Sequence, residues 1–234
     1  MGSTHRRERQ REQTRDEIKA TARQQMAESG SAGLSLSAVA RAMGLSTPSL
    51  YYYYADRDAL LTALIIDAFD ALAAAVEAAV APLPPGAYAS RMLTALLAYR
   101  GWALAHPVDF QLIYGTPVPG YHAPAEQTVP AVRRSVAVLL ETLQAAYTAG
   151  ALRPRPEHEQ LPADLRFTLI TTTGEAVAAP VAVIALAGWS LVHGMIMLEL
   201  FGHLGPTLSD PDAFFRHQVA SYLADVGLVV PPSA

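Results

Sequence analysis

The chain contains no cysteine. Disulfides, thiolate metal sites and a cysteine nucleophile are therefore excluded, and a reducing compartment is compatible with the composition. The short patterns of common catalytic machinery are also missing: there is no H-E-x-x-H, no G-x-S-x-G and no glycine-rich phosphate loop. His106, His122, His158, His193, His203 and His217 are scattered along the chain. No catalytic constellation results, and an enzyme is not expected. Glu199 and His203 stand at i, i+4 and admit two readings, a two-ligand metal site or a capping or surface pair. The second is preferred, so no metal and no other cofactor is expected. No segment of useful length alternates apolar and polar residues, which leaves no strand signal, and no internal repeat is visible. The N-terminal RRERQREQTRDEIK has no apolar core and does not read as a secretory signal. A cytoplasmic protein is expected.

What is abundant favours helix. The 234 residues are 51% hydrophobic and rich in alanine, with modest Val, Ile and Thr. The length allows one large domain or two small ones. The net charge of −4 conceals an asymmetry. Residues 1–57 hold nine basic and six acidic side chains, while the remainder holds eight basic and fifteen acidic. A basic front on an acidic body suits a polyanionic partner at the front alone. It equally suits a solvated, arginine-rich N-terminal arm at residues 1–12.

Ile18, Ala22 and Met26 recur at i, i+4, i+8 and predict a helix over 13–29, ended by Gly30 and Gly33. Ser35 is placed to cap a second helix at 36–43, which Gly44 breaks. Ser46 or Thr47 caps a short third helix with Pro48 in its first turn. Asp56 caps a long fourth helix from about 57 to 81, and Pro82, Pro84, Pro85 and Gly86 make a linker. Further helices are expected at 87–105, 107–115, 128–149, 162–178, 181–203 and 210–227. Residues 116–126 and 153–160 read as loops.

The stretch SLSAVARAMGLSTPSLYYYYADR at 35–57 has the physics of a helix-turn-helix. Val39 and Ala40 face inward, Gly44 makes the tight turn, and Leu45 and Leu50 plug the space between the helices. The second helix of such a unit enters the major groove by its N-terminal residues. Those are Thr47, Pro48, Ser49 and Tyr51–Tyr53. Their hydroxyls can bond phosphates or base edges, and the proline ring can touch a thymine methyl. Tyr54, one turn from Leu50, is expected to pack inward. Tyr52 and Tyr53 are expected against the DNA backbone, the alternative being plain packing.

The segment GLSTPSLYYYYADRDALL resembles the DNA-binding domain of the TetR family of bacterial repressors. It matches that family's pattern through Gly44, Leu45, Ser46, Ser49, Leu50, Tyr51, Tyr53, Tyr54, Arg57, Asp58 and Leu60. Tyr53 stands where His is commoner and Tyr54 where Phe is commoner. The resemblance covers roughly residues 13–65. It implies DNA contacts from Ser46, Thr47, Pro48, Ser49, Tyr51, Tyr52 and Tyr53, and a phosphate grip from Arg57. Ser35 and Ser37 fall where the second helix meets the backbone. Arg6, Arg7, Arg9 and Arg11 precede the predicted first helix, and such an arm can reach the minor groove or remain solvated. The fold class that follows is all-α: a three-helix helix-turn-helix domain at 13–60 and a helical ligand-binding and dimerisation body at 61–230, about ten helices in total.

In the body, Trp102, Phe110, Tyr114 and Tyr147 lie on predicted helices and are candidate ligand contacts, with core packing as the alternative. Trp189 and His193 stand at i, i+4 with Gly194 beside them, and W-x-x-x-H-G resembles the penultimate helix of one C-terminal subclass of the family. His193 can contact a ligand or be a core histidine, and Gly188 and Gly194 permit close packing of another helix. Residues 176–198 carry no charge and approach spanning length. Pro180, His193 and the lack of basic flanks favour a buried helix over a membrane span. The helices at 181–203 and 210–227 are apolar enough to predict a homodimer interface. A double-stranded, near-palindromic DNA operator follows from a two-fold dimer. A body that is apolar and short of lysine predicts a small hydrophobic ligand.

Overall fold

The structure is a computed structural model that describes residues 2–230, with side chains from His5 onward. The described residues form ten α-helices: α1 Gly2–Ser29, α2 Leu36–Ala42, α3 Thr47–Tyr51, α4 Arg57–Val80, α5 Tyr88–Ala105, α6 Pro107–Tyr114, α7 Ala125–Thr148, α8 Pro156–Glu159, α9 Ala179–Leu200 and α10 Pro211–Asp225. Among the described residues there is no strand beyond a single antiparallel bridge. The expected all-α architecture is what is observed.

Contacts divide the chain into two units. One holds the residues up to Ala68 together with His106–Val129, and the other holds Phe69–Ala105 and the chain from Pro130 on. In the first, Ile18, Ala22 and Met26 of α1 are buried with Val39 and Ala40 of α2, Leu50 of α3 and Leu60, Leu61 and Leu64 of α4. Each such leucine contributes on the order of 2 kcal/mol by leaving water. Helix α6 belongs here as well. Arg23 Nε of α1 donates to both carboxylate oxygens of the buried Asp109, at 2.8 and 3.1 Å.

In the second unit α5, α9 and α10 pack together around Leu96, Tyr99, Ile184, Val192, Ile196, Phe215, Val219 and Leu223. A buried Arg100 fastens all three. It grips Glu199 of α9 through Nε and Nη2, at 2.8 and 2.6 Å, and reaches Asp212 of α10 at 2.7 Å. Glu199 is thereby engaged by an arginine and does not pair with His203. Among the described residues no group of three metal-type ligands occurs.

Three expectations differ from the observed elements. Residues 162–178 do not form a helix. They make a small hairpin-like turn in which Thr171 N donates to Glu175 O and Val177 N to Leu169 O. The reason is local: Thr171, Thr172 and Thr173 are β-branched, and their hydroxyls compete for backbone groups. Thr171 Oγ1 accepts from Glu175 N, and Gly174 takes φ +85° to close the turn. At the other end, residues 2–12 are continuous with α1. Arg, Glu and Gln are good helix formers, and no glycine or proline interrupts them after Gly2. One further helical turn, α8, lies inside the loop expected at 153–160.

Candidate DNA interface and ligand cavity

The turn between α2 and α3 is built by Gly44, whose φ of +67° is open to glycine at no steric cost. Leu45 N reaches back to Ala40 O at 2.8 Å, closing the end of α2. Ser46 is the N-cap of α3: its hydroxyl accepts from Ser49 N at 3.2 Å and lies 2.7 Å from Ser49 Oγ. Pro48 occupies the first turn, where its missing N–H costs nothing. Leu50 is fully buried and Tyr54 nearly so, which fixes the roll of α3. That roll leaves Ser46, Pro48, Ser49, Tyr51 and Tyr52 exposed, with Thr47 and Tyr53 half-buried. Tyr52 is 67% exposed, an unusual state for an aromatic ring, and its centroid lies 5.3 Å from that of Tyr53. Ser37 is exposed at the start of α2 and Ser35 is half-buried before it. The Ser35 hydroxyl makes no capping bond.

Arg57 has a second occupation that the sequence does not reveal. Its Nε donates to Leu34 O at 3.0 Å, and its Nη2 donates to Ser31 O and Ala32 O at 3.3 and 3.0 Å. The guanidinium ties the start of α4 to the turn before α2, and its Nη1 stands 4.0 Å from Asp58 Oδ1.

In the second unit, α5, α7, α9 and α10 enclose an apolar cavity of about 50 Å³. Met92, Leu96, Tyr99, Leu143, Trp189 and Tyr222 are among its walls. Trp189 is the one expected ligand residue that lines it. The His193 ring packs against that of Trp189 at a 56° tilt, centroids 4.4 Å apart, and Tyr99 Oη lies 3.3 Å from its Nδ1 and 3.4 Å from its Nε2. Burial pushes the His193 imidazole down to a pKa of about 4, so it is neutral near pH 7. Trp102 and Tyr147 belong to the same unit but are not among the lining residues. Phe110 and Tyr114 belong to the first unit, where their rings meet at 5.3 Å. Gly188 behaves as expected: a Cβ there would come within 2.8 Å of the Tyr222 ring. Gly194 faces open space instead. Sequence reasoning missed Tyr99 and Tyr222, each far along the chain from its α9 partner.

Residues 18–64 match the family of bacterial regulatory proteins, tetR family, and residues 92–222 match the tetracyclin repressor-like C-terminal domain. The HTH-type transcriptional regulator Rv1816 of Mycobacterium tuberculosis is 34% identical over 216 residues, covering 92% of each chain. HTH-type transcriptional regulator Mb1846 of Mycobacterium bovis gives the same figures. Among solved structures, the protein SCO4313 is 33% identical and superposes with a TM-score of 0.72 over 93% of this chain and 98% of its own. The capped and exposed α3, the two matched regions and these relatives agree: the chain belongs to the TetR family of helix-turn-helix, DNA-binding transcriptional regulators.

Proposed function

We propose that this chain is a dimeric, cytoplasmic repressor that holds a near-palindromic operator and is released by a small hydrophobic ligand. The observation that carries the reading is the exposed row Ser46, Pro48, Ser49, Tyr51 and Tyr52 on a short helix whose roll is fixed by Leu50 and Tyr54. Thr47 and Tyr53 complete the reading face, with Ser35 and Ser37 against the flanking backbone. Arg57 has a narrower role, organising the turn at 31–34 and offering Nη1 to a phosphate. The test is a gel shift on an operator selected from a random duplex pool. Tyr52→Ala and Arg57→Ala should each weaken binding tenfold or more. Wild-type binding by both variants would overturn the contact assignment.

The dimer surface of this reading is α9. Leu186, Trp189, Leu198 and Phe201 are large apolar residues exposed along it. The outer side of α10 carries Arg216, His217 and Asp225, so α9 contributes the apolar part. A two-fold axis would set two α3 helices about 34 Å apart, one turn of duplex. Helix α4 begins in the first unit and ends in the second, which makes it the lever between ligand and operator.

For the ligand, Trp189 and Tyr99 line the apolar cavity and His193 stands against both of them from outside the lining, the role we assign to the W-x-x-x-H-G segment. A cavity that holds benzene measures about 150 Å³, three times the space found here. Binding must therefore select a more open arrangement of the walls. That small volume also favours a second reading, a DNA-binding regulator with no small-molecule effector. Thermal-shift screening of neutral aromatic compounds, followed by operator titration with each hit, separates the two. Equal operator affinity with and without every stabilising compound supports the second.

A further inference from the structure

The first half of α1 lies outside every contact invoked so far. Arg7, Arg11, Arg15, Ile18, Ala22 and Met26 follow one another by four, four, three, four and four residues. They therefore occupy one face of a single continuous helix. Where that face packs against α2 it is apolar and buried, through Ile18, Ala22 and Met26. Beyond them the same face turns cationic and exposed.

The cationic stretch is fitted to the end of α3. Arg15 donates from Nη2 to Tyr53 O at 3.3 Å, and its guanidinium stands 5.6 Å from the Tyr54 ring centre. The Arg11 guanidinium stands 5.1 Å from the centre of the exposed Tyr52 ring. Arg7 lies one turn further out and is exposed. Four residues advance a helix by about 6 Å, so Arg7 and Arg11 present two separated guanidiniums along one line. The residues that follow each arginine, Glu8, Glu12 and Asp16, form an acidic stripe about 100° round the helix. Arg6 and Arg9 point to the far side. One face alone is suited to a polyanion.

We propose that the N-terminal half of α1 is a helical phosphate clamp. Arg7 and Arg11 bind the backbone of the duplex that α3 reads, and Arg15 seats the helix against the tyrosines. The proposal rests on the DNA-binding reading above and adds to it a contact made by a helix that the α3 end positions.

The experiment uses the full chain and a fluorescently labelled 30-base-pair duplex of mixed sequence, with binding followed by anisotropy between 50 and 200 mM KCl. Each phosphate contact contributes about 0.9 to the slope of log affinity against log salt. The Arg7→Gln/Arg11→Gln variant is expected to lose about 1.8 of that slope per chain and to bind at least tenfold more weakly at 100 mM. Arg7→Lys/Arg11→Lys keeps the charge and should keep the slope. Arg6→Gln/Arg9→Gln should move it less than half as far as the Gln pair at 7 and 11. An unchanged slope in the Gln pair overturns the clamp, and so does an equal loss from positions 6 and 9. Loss of slope in the Lys pair also overturns it, because helix seating rather than phosphate contact would then be the cause. If the wild-type chain binds no duplex at all, the DNA-binding reading fails with it, whereas wild-type binding with any of the other three results sinks the clamp alone.

Discussion

His193 is held neutral by its surroundings, with Trp189 against one side of the ring and Tyr99 Oη at its nitrogens. Its pKa falls from the ordinary 6.5 to about 4. Above pH 6.5 the ring is neutral in both folded and unfolded chains and contributes no pH dependence. As pH falls from 6.5 toward 4, the unfolded chain takes up a proton that the folded one refuses, so stability declines across that window. Urea unfolding at pH 7.5, 5.5 and 4.5 should show this decline, and His193→Gln should flatten it. An equally steep decline in the variant would place the acid sensitivity elsewhere. Gly188 is a second test at this scale. A methyl there meets Tyr222 Cε1 at 2.8 Å and displaces a ring whose hydroxyl donates to Ile184 O at 2.7 Å. Gly188→Ala should cost about 1–2 kcal/mol in unfolding free energy, despite its better helix propensity. Trp189 and His193 were legible because i, i+4 spacing is local. Tyr99 and Tyr222 were not, since only the packing of three helices brings them near.

At the scale of elements, the readable helices are those whose signals are repeated. Helix α1 has a buried period, α3 has Ser46 with Pro48, and α4 has Asp56, whose carboxylate accepts from Ala59 N at 2.7 Å. The segment 162–178 lacks such redundancy. Its apolar residues allow a helical period, but Gly174 and three successive threonines decide for a turn. Arg57 shows the same limit in a site residue, because its type and place fit a phosphate while three carbonyls across a turn already hold it. The Arg100 clasp is equally non-local, since its partners lie about a hundred residues away on α9 and α10. Removing one partner of a largely buried pair leaves the other charge uncompensated and costs about 3 kcal/mol. Arg100→Ala should therefore unfold at markedly lower urea. Adding Glu199→Leu to it should restore part of the loss, because the stranded carboxylate is then gone too. A double variant as unstable as the single would mean that Arg100 acts through packing on Phe215, 5.2 Å away, rather than through charge.

At the scale of the whole molecule, α9 is the element that a single chain leaves unfinished. Ile184, Val192, Met195 and Ile196 are buried on one side, and Leu186, Ser190, Gly194, Leu198 and Phe201 are exposed on the other. It is one of two helices among the described residues long and apolar enough to cross a membrane, and about a third of its most apolar window is buried within the chain. A second copy of α9 would cover the rest. In the proposed dimer Ser190 and Gly194 would be the small residues that let two helices approach closely, and at Gly194 an added Cβ meets nothing within 4 Å. This last point makes a clean variant. Gly194→Gln should leave the single chain as stable as before or slightly more so, because Gln is the better helix former. The same side chain would stand in the middle of the proposed interface. Light scattering at about 10 μM should then show the wild-type chain at twice its 25.0 kDa mass and the variant at the single mass. The variant should lose affinity for a duplex carrying two half-sites about 34 Å apart and retain its weaker binding to one half-site. A Gly194→Gln protein that still runs as a dimer would move the interface off this face of α9, while the reading helix and its operator would be untouched by the result.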